Sequence, residues 1–185
     1  MNSADIRNNI LELKKICIIG PECTGKTTLS RALSEYYKTA WVPEYARGYL
    51  DKLNRPYDKT DLLKIAHGQI QMEEEWIREA NRLIFFDTNL LVIKVWSEHK
   101  FGTCDTEILK QHEARAYHHY LLTDIDLPWE DDPQREHPGL RDHFKKLYTD
   151  LIHHSNVPYN ILSGSEEQRL RNAVLIIDRI LSQSS

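Results

Sequence analysis

The sequence predicts an α/β fold in three layers, α/β/α, with a five-stranded parallel sheet between two sheets of helices. Three observations predict it. Five short apolar runs, at 16–19, 39–42, 83–86, 118–122 and 157–162, have strand length and each stops at a turn or polar residue. Segments with helical spacing separate them. A chain of 185 residues holds one sizeable core and is short for two. Strand–helix–strand units close by right-handed crossovers, which stacks such strands in parallel and covers both faces of the sheet.

Each element follows from its residues. Residues 8–15 are mixed and read as a short lead-in helix. Ile16-Cys17-Ile18-Ile19 is small, mostly β-branched and apolar, the pattern of a buried parallel strand, and it ends at Gly20. After Thr27, Leu29, Leu33 and Tyr36 fall on one helical face. The second strand, 39–42, is stopped by Pro43. Residues 59–82 form a helix with Leu62, Ile65, Ala66, Gln69, Met72 and Trp76 along one side, which places Trp76 in the core. The third run ends at Asp87, and a helix follows over 89–96. The fourth strand ends at Thr123-Asp124. Residues 127–140 are rich in proline and charge and read as a loop or mobile flap. A helix over 141–153, a strand stopped by Ser163-Gly164 and a closing helix over 166–181 complete the chain. Ligands of such sheets bind beyond the carboxyl ends of the strands. Gly20, Pro43, Asp87, Asp124 and Ser163 all fall there.

Composition narrows the function. The residues are 41 % hydrophobic and 28 % charged, which argues against disorder. A net charge of −4 argues against a general nucleic-acid binder. No run approaches a membrane span, and the first nine residues carry no apolar signal core, so a cytoplasmic protein is expected. Cys17, Cys23 and Cys104 are odd in number and form no C-x-x-C pair, which fits a reducing compartment. Oligomeric state is not legible.

Gly20-Pro21-Glu22-Cys23-Thr24-Gly25-Lys26-Thr27 matches G-x-x-x-x-G-K-[ST] at every fixed position, between a strand and a helix. This makes the predicted fold a P-loop NTPase. Gly20 and Gly25 permit backbone angles that a β-carbon obstructs. The loop can then aim successive N–H groups at phosphate oxygens, aided by the positive end of the helix. Lys26 would sit on the β- and γ-phosphates and Thr27 on Mg²⁺. Asp87, ending the third run, would hold Mg²⁺ directly or through water; alternatively it caps the next helix.

Other phosphate-loop classes fit poorly. There is no N-K-x-D for guanine, and Asp87-Thr88-Asn89-Leu90 lacks a switch glycine. Leu162-Ser163-Gly164-Ser165-Glu166 resembles a transporter-ATPase signature but comes too late in the chain. A small nucleoside or nucleotide kinase fits both the size and the flap. Such an enzyme covers the γ-phosphate with a lid, often carrying arginines. Residues 126–142 supply one, with Arg135 and Arg141 as candidate phosphate contacts. The acceptor should face the phosphate loop. Glu44 is placed to orient or deprotonate a hydroxyl, with Asp87 its rival. Tyr45 and Arg47 lie beside it, and Glu44 and Arg47 could instead form an i,i+3 pair. Trp96 and Trp129 lie beyond strand ends, where either could stack on a heteroaromatic acceptor.

Gly20-Pro21-Glu22-Cys23-Thr24-Gly25-Lys26-Thr27-Thr28-Leu29 resembles the G-P-E-S-T-G-K-[ST]-T-L loop of the ribosylnicotinamide kinase domain of NadR-type NAD-salvage proteins. Val42-Pro43-Glu44-Tyr45-Ala46-Arg47, Phe86-Asp87-Thr88, and Pro128-Trp129 with Asp132 and Arg135 look like that domain too, in the same order. The resemblance spans about residues 14–181 of a single domain, 1–185. It implies Mg²⁺- and ATP-dependent phosphorylation of nicotinamide riboside to nicotinamide mononucleotide. It also implies ATP contacts from the loop through Thr28, and catalytic roles for Lys26, Glu44, Asp87 and Arg135. Cys23 departs from the usual serine. No H-x-G-H motif is present, so neither adenylyl transfer nor DNA repression is implied. A kinase for another nucleoside, or an ATP-binding regulatory module without acceptor, is the alternative.

Overall fold

The computed structural model describes residues 12–183. The elements run β1 (Lys14–Ile19), α1 (Lys26–Tyr37), β2 (Trp41–Val42), α2 (Tyr45–Leu50), α3 (Lys59–Glu79), β3 (Leu83–Asp87), α4 (Leu90–Phe101), α5 (Thr106–Glu113), β4 (His119–Thr123), α6 (Arg141–His154), β5 (Tyr159–Leu162) and α7 (Glu166–Ser182). All strand pairs are parallel, in the order β2-β3-β1-β4-β5. The sheet is therefore the five-stranded parallel one expected. β1 lies at its centre, and the chain fills first one side and then the other. Its carboxyl edge is the end of β1 with β3 on one flank and β4 on the other, the usual crevice for a ligand.

Strand alternation divides the core between the two faces. Ile16, Ile18, Leu83, Phe85 and Leu121 pack against Leu29 and Leu33 of α1 and Ala173 and Ile177 of α7. Cys17, Ile19, Ile84, Phe86, Tyr120 and Leu122 pack against α4 and α6. α4 is apolar on nearly every side, because α3 and α5 cover the face that the sheet does not. α3 and α7 each begin with a capping box, Asp58 with Asp61 and Ser165 with Gln168.

Several sequence expectations are corrected. Residues 8–11 of the expected lead-in helix lie outside the described residues, and 12–15 are not helical: Lys14 and Lys15 belong to β1 and pair with β3. Trp76 is not core: it is 39 % exposed, because the buried line of α3 runs through Gln69 and Glu73 and continues toward Ile77. Tyr36 is likewise exposed. Tyr37 turns inward in its place, near Phe85, and its hydroxyl donates to Asp178 Oδ1 at 2.8 Å. β5 starts at Tyr159 rather than 157. α2 and α5 were not foreseen. α2 is six residues long with none buried, and α5 buries only Ile108, too little for a period to register.

Glu73 is buried beneath β3, and burial pushes its carboxyl up to about 7 despite Arg115 nearby. The folded state therefore holds this proton more tightly than the unfolded chain does. Its contribution is full below the ordinary glutamate range and is lost as pH rises toward 7. Glu73→Gln should accordingly raise unfolding free energy by about 1–3 kcal/mol at pH 8 and change it little at pH 5. Denaturant melts at the two pH values check this.

Candidate active site

The phosphate loop, 20–27, is shaped by what it must pass. At Gly20, φ is +152°, and a β-carbon there would stand 2.9 Å from the Thr123 carbonyl oxygen and closer still to its hydroxyl. Gly25 takes a left-handed φ of +76° just before α1. Cys23 is also left-handed, at φ 55°, a rare geometry for a residue with a side chain. Thr24 fixes the loop from beneath: its buried hydroxyl donates to Pro21 O at 2.8 Å and lies 2.7 Å from the Thr123 hydroxyl. Lys26 Nζ donates to Pro21 O at 2.8 Å, across the mouth of the loop.

One feature of the loop gives no sequence signal. Arg169 of α7 is 2 % exposed. Its guanidinium donates to the Thr24 carbonyl and Asp126 carboxylate, to Gly164 O at 2.9 Å and to Asp124 O at 2.9 Å. It joins the phosphate loop, the end of β4 and the start of α7. In sequence it is one arginine among the charges of a terminal helix; only its four partners reveal it.

Thr27 Oγ1 donates to Asp87 Oδ2 at 2.6 Å, and Asp87 Oδ1 is buried without a protein partner. Asp87 does not cap α4; Asn89 does, accepting from the Leu91 N–H at 3.0 Å. Among the described residues no group of three or more His, Cys, Asp or Glu is arranged to hold a metal by itself. The adjacent hydroxyl and free carboxylate oxygen nevertheless form a hard-oxygen pair that fits Mg²⁺, with nucleotide phosphates completing its sphere.

Glu44 stands at the N-terminus of α2 without spending its side chain on a cap. Burial, and next the Asp87 charge, push its carboxyl up to about 7 against the pull of Lys26 and Arg47. Asp87 is raised by burial, opposed by the Thr27 hydroxyl and by Lys26. Two carboxylates so placed share the cost of ionisation.

A cavity of about 540 Å³ connects Glu44 with Lys26 and Thr27; Asp87 is buried behind Thr27 and does not line it. At one end lie the phosphate loop through Thr28, with Arg135; at the other lie Ala46, Leu50, Tyr57, Ile65, Val92, Trp96, Phe144 and Tyr148, and Glu44 lies between. Burial raises Tyr57 and Tyr148, and carboxylates raise them further: Glu136 and Glu22 for Tyr57, Glu44 and Glu22 for Tyr148. The cavity wall thus carries the Glu22 and Glu44 carboxylates together with Lys26, Arg47 and Arg135.

The segment 126–142 crosses the cavity as a lid. The Cys23 sulfur accepts from the Glu130 N–H at 3.1 Å and from Arg135 at 3.3 Å, and Glu22 accepts from the Glu136 and His137 N–H groups. Not every candidate reaches the cavity. Arg141 lies behind the loop, donating to Cys23 O, Leu127 O and Ile125 O at 3.0–3.4 Å. Trp129 faces Arg141 and donates to Asp131, and it does not line the cavity. Tyr45 is spent on packing: a β-carbon on Gly68 would collide with its ring, and its N–H donates to Gln69. Arg47 does line the cavity, but it pairs with Asp132 of the lid rather than with Glu44.

A phosphate-binding loop at the carboxyl edge of a parallel sheet, faced by an aromatic pocket under a lid, defines a P-loop protein of the nucleoside and nucleotide kinase type in fold. A family model described as an AAA domain matches residues 15–169, and the chain belongs to that family. It is similar to the trifunctional NAD biosynthesis/regulator protein NadR of Escherichia coli K12, 23 % identical over 155 residues, which is 80 % of this chain and 37 % of that protein. Two solved NadR structures share the fold. One, in complex with NR, has TM-score 0.70 and 21 % identity and covers 89 % of this chain and 49 % of the other. The second, with NAD and AMP-PNP, has TM-score 0.72 and 20 % identity and covers 93 % and 50 %. This chain thus spans half or less of the NadR proteins it matches.

Removing Arg169 leaves three backbone carbonyls unpaired at the base of the loop. Arg169→Ala should cost about 3 kcal/mol of stability. Arg169→Lys should recover little, since an ammonium lacks the planar fork. Thermal melts of both variants, with nucleotide affinity measured beside them, check the expectation.

Proposed function

We propose that this protein is an ATP-dependent kinase that transfers the γ-phosphoryl group to the 5′-hydroxyl of nicotinamide riboside, giving nicotinamide mononucleotide. The observation that carries the reading is the shape and charge of the cavity. The phosphate loop and an aromatic pocket line one cavity, and the Glu22 and Glu44 carboxylates stand on its wall. A nucleoside with a positively charged ring suits that pocket, because aromatic faces and nearby carboxylates both favour a cation. The NR and AMP-PNP seen with NadR support the same pairing of substrates.

The phosphate-loop N–H groups and Lys26 hold the β- and γ-phosphates, and Arg135 approaches from the lid. Thr27 and Asp87 would hold Mg²⁺, which when bound would neutralise phosphate charge. Glu44 orients the acceptor hydroxyl and receives its proton, and Trp96 packs on the ring. Trp129, Tyr45 and Arg141 act through the lid and α2 rather than on substrate. Positioning in line, with water excluded, supplies most of the rate. The described residues form one catalytic unit with soluble substrates, in keeping with a cytoplasmic enzyme. Among them no helix is long and apolar enough to cross a membrane.

The direct test is ADP and nucleotide product measured with nicotinamide riboside against a panel of other nucleosides. Faster turnover of a different nucleoside replaces the acceptor, and slow hydrolysis unaffected by any acceptor replaces the kinase with a nucleotide-binding regulator. Lys26→Ala should lower kcat by roughly 10²–10³-fold with the fold intact by circular dichroism.

Glu44 accepts a proton only when ionised. kcat/KM should therefore fall as pH drops below about 7, the value to which its carboxyl is raised. Glu44→Gln should lower the rate and flatten that limb. Asp87→Asn should also lower the rate, and added Mg²⁺ should recover part of its loss and none of the loss in Glu44→Gln. Kinetics across pH and Mg²⁺ concentration separate the two carboxylates.

A further inference from the structure

Within the lid, one turn meets both the phosphate loop and α2. The Asp132 carbonyl accepts the Arg135 N–H at 3.0 Å, and Asp132 Oδ1 accepts the Gln134 N–H at 2.9 Å. Residues 132–135 therefore move together. On one side the turn delivers Arg135 to the Cys23 sulfur at the phosphate loop. On the other, Asp132 Oδ2 accepts from the Arg47 guanidinium, and the Gln134 amide donates to Arg47 O at 3.2 Å and to Asp51 Oδ1 at 2.5 Å. Arg47 belongs to α2 and Asp51 follows it. Ala46 and Leu50 of the same helix line the aromatic end of the cavity.

We propose that Asp132 is a positioning residue that makes the placement of Arg135 over the phosphate loop depend on α2, the helix against which the acceptor seats. The proposal rests on the kinase reading above and adds to it a coupling of acceptor to phosphoryl transfer. Arg47 is 49 % exposed in its side chain, so its pairing with Asp132 contributes little to fold stability. Its consequence is geometric. An acceptor bound between α2 and α4 fixes Arg47, Arg47 fixes the turn, and the turn fixes Arg135. Without acceptor, α2 is free to shift and Arg135 leaves the transferring phosphoryl, which limits transfer to water. Arg47 thereby acts on the lid rather than on the acceptor.

The test uses the full chain and Asp132→Asn, which keeps the size of the side chain and removes its charge. ADP formation is measured with and without nicotinamide riboside. The expected result is a fall of about tenfold in stimulation by the acceptor. KM for ATP should change by less than about twofold, because the phosphate loop itself is untouched. Arg47→Gln should lower the stimulation as far as Asp132→Asn does, and the double variant no further, whereas a direct contact between Arg47 and acceptor would make the losses add. Hydrogen exchange over 128–137 with Mg²⁺ and AMP-PNP bound gives a readout without any acceptor, and it should be faster in Asp132→Asn. Unchanged stimulation, additive losses in the double variant, or unchanged exchange overturns the proposal. If the wild-type protein responds to no nucleoside, the acceptor reading fails, and the exchange measurement still decides whether Asp132 holds the lid to α2.

Discussion

One buried guanidinium holds the carboxyl edge of the sheet together. Arg169 gathers carbonyl oxygens from the phosphate loop, the segment after β4 and the start of α7, and meets Asp126. These segments come from distant parts of the chain, and each presents backbone acceptors that burial would otherwise leave costly and unpaired. Thr24 and Thr123 close the same junction from inside, hydroxyl to hydroxyl. Gly20 is obligatory there, because β4 passes too near for a side chain. The curvature that points loop N–H groups at a phosphate is thus imposed largely from behind, by groups that never meet the nucleotide.

From that fixed edge the cavity acquires two unlike ends. α1 brings Lys26 and its positive terminus to one. α4 and α6 bring Trp96, Phe144 and Tyr148 to the other, on the same sheet face that buries Ile19 and Phe86. Glu44 and Asp87 end up near each other because β2 and β3 are neighbours in the sheet, and their shared burial raises both. A carboxyl raised toward neutral pH in the cavity wall is suited to proton transfer. A metal ion beside Asp87 would favour ionisation of that residue, and in the proposed reaction Glu44 would then be the proton acceptor.

The sequence by itself determined the sheet, most of its helices, and the chemistry of the phosphate loop. Those depend on local patterns: β-branched runs for buried parallel strands, a glycine pair with Lys26 and Thr27 for phosphate, and an aspartate at a strand end. Glu44 was legible because it sits just beyond a strand end, where this architecture places its ligands, Arg135 as an arginine of the lid, and Trp96 as an aromatic residue in the segment after the third strand. Short α2 and α5 were not legible, since one or no buried residue leaves no periodicity. Only the tertiary structure decided which candidates meet. It turned Trp76 outward, because Glu73 occupies the buried line of α3, and kept Trp129 and Arg141 of the lid out of the cavity. It also gave Arg47 to Asp132, 85 residues away, and made Arg169 the anchor of a loop 145 residues before it. Pairings across such separations are set by how the strands order themselves around β1, and no local run of residues encodes that order.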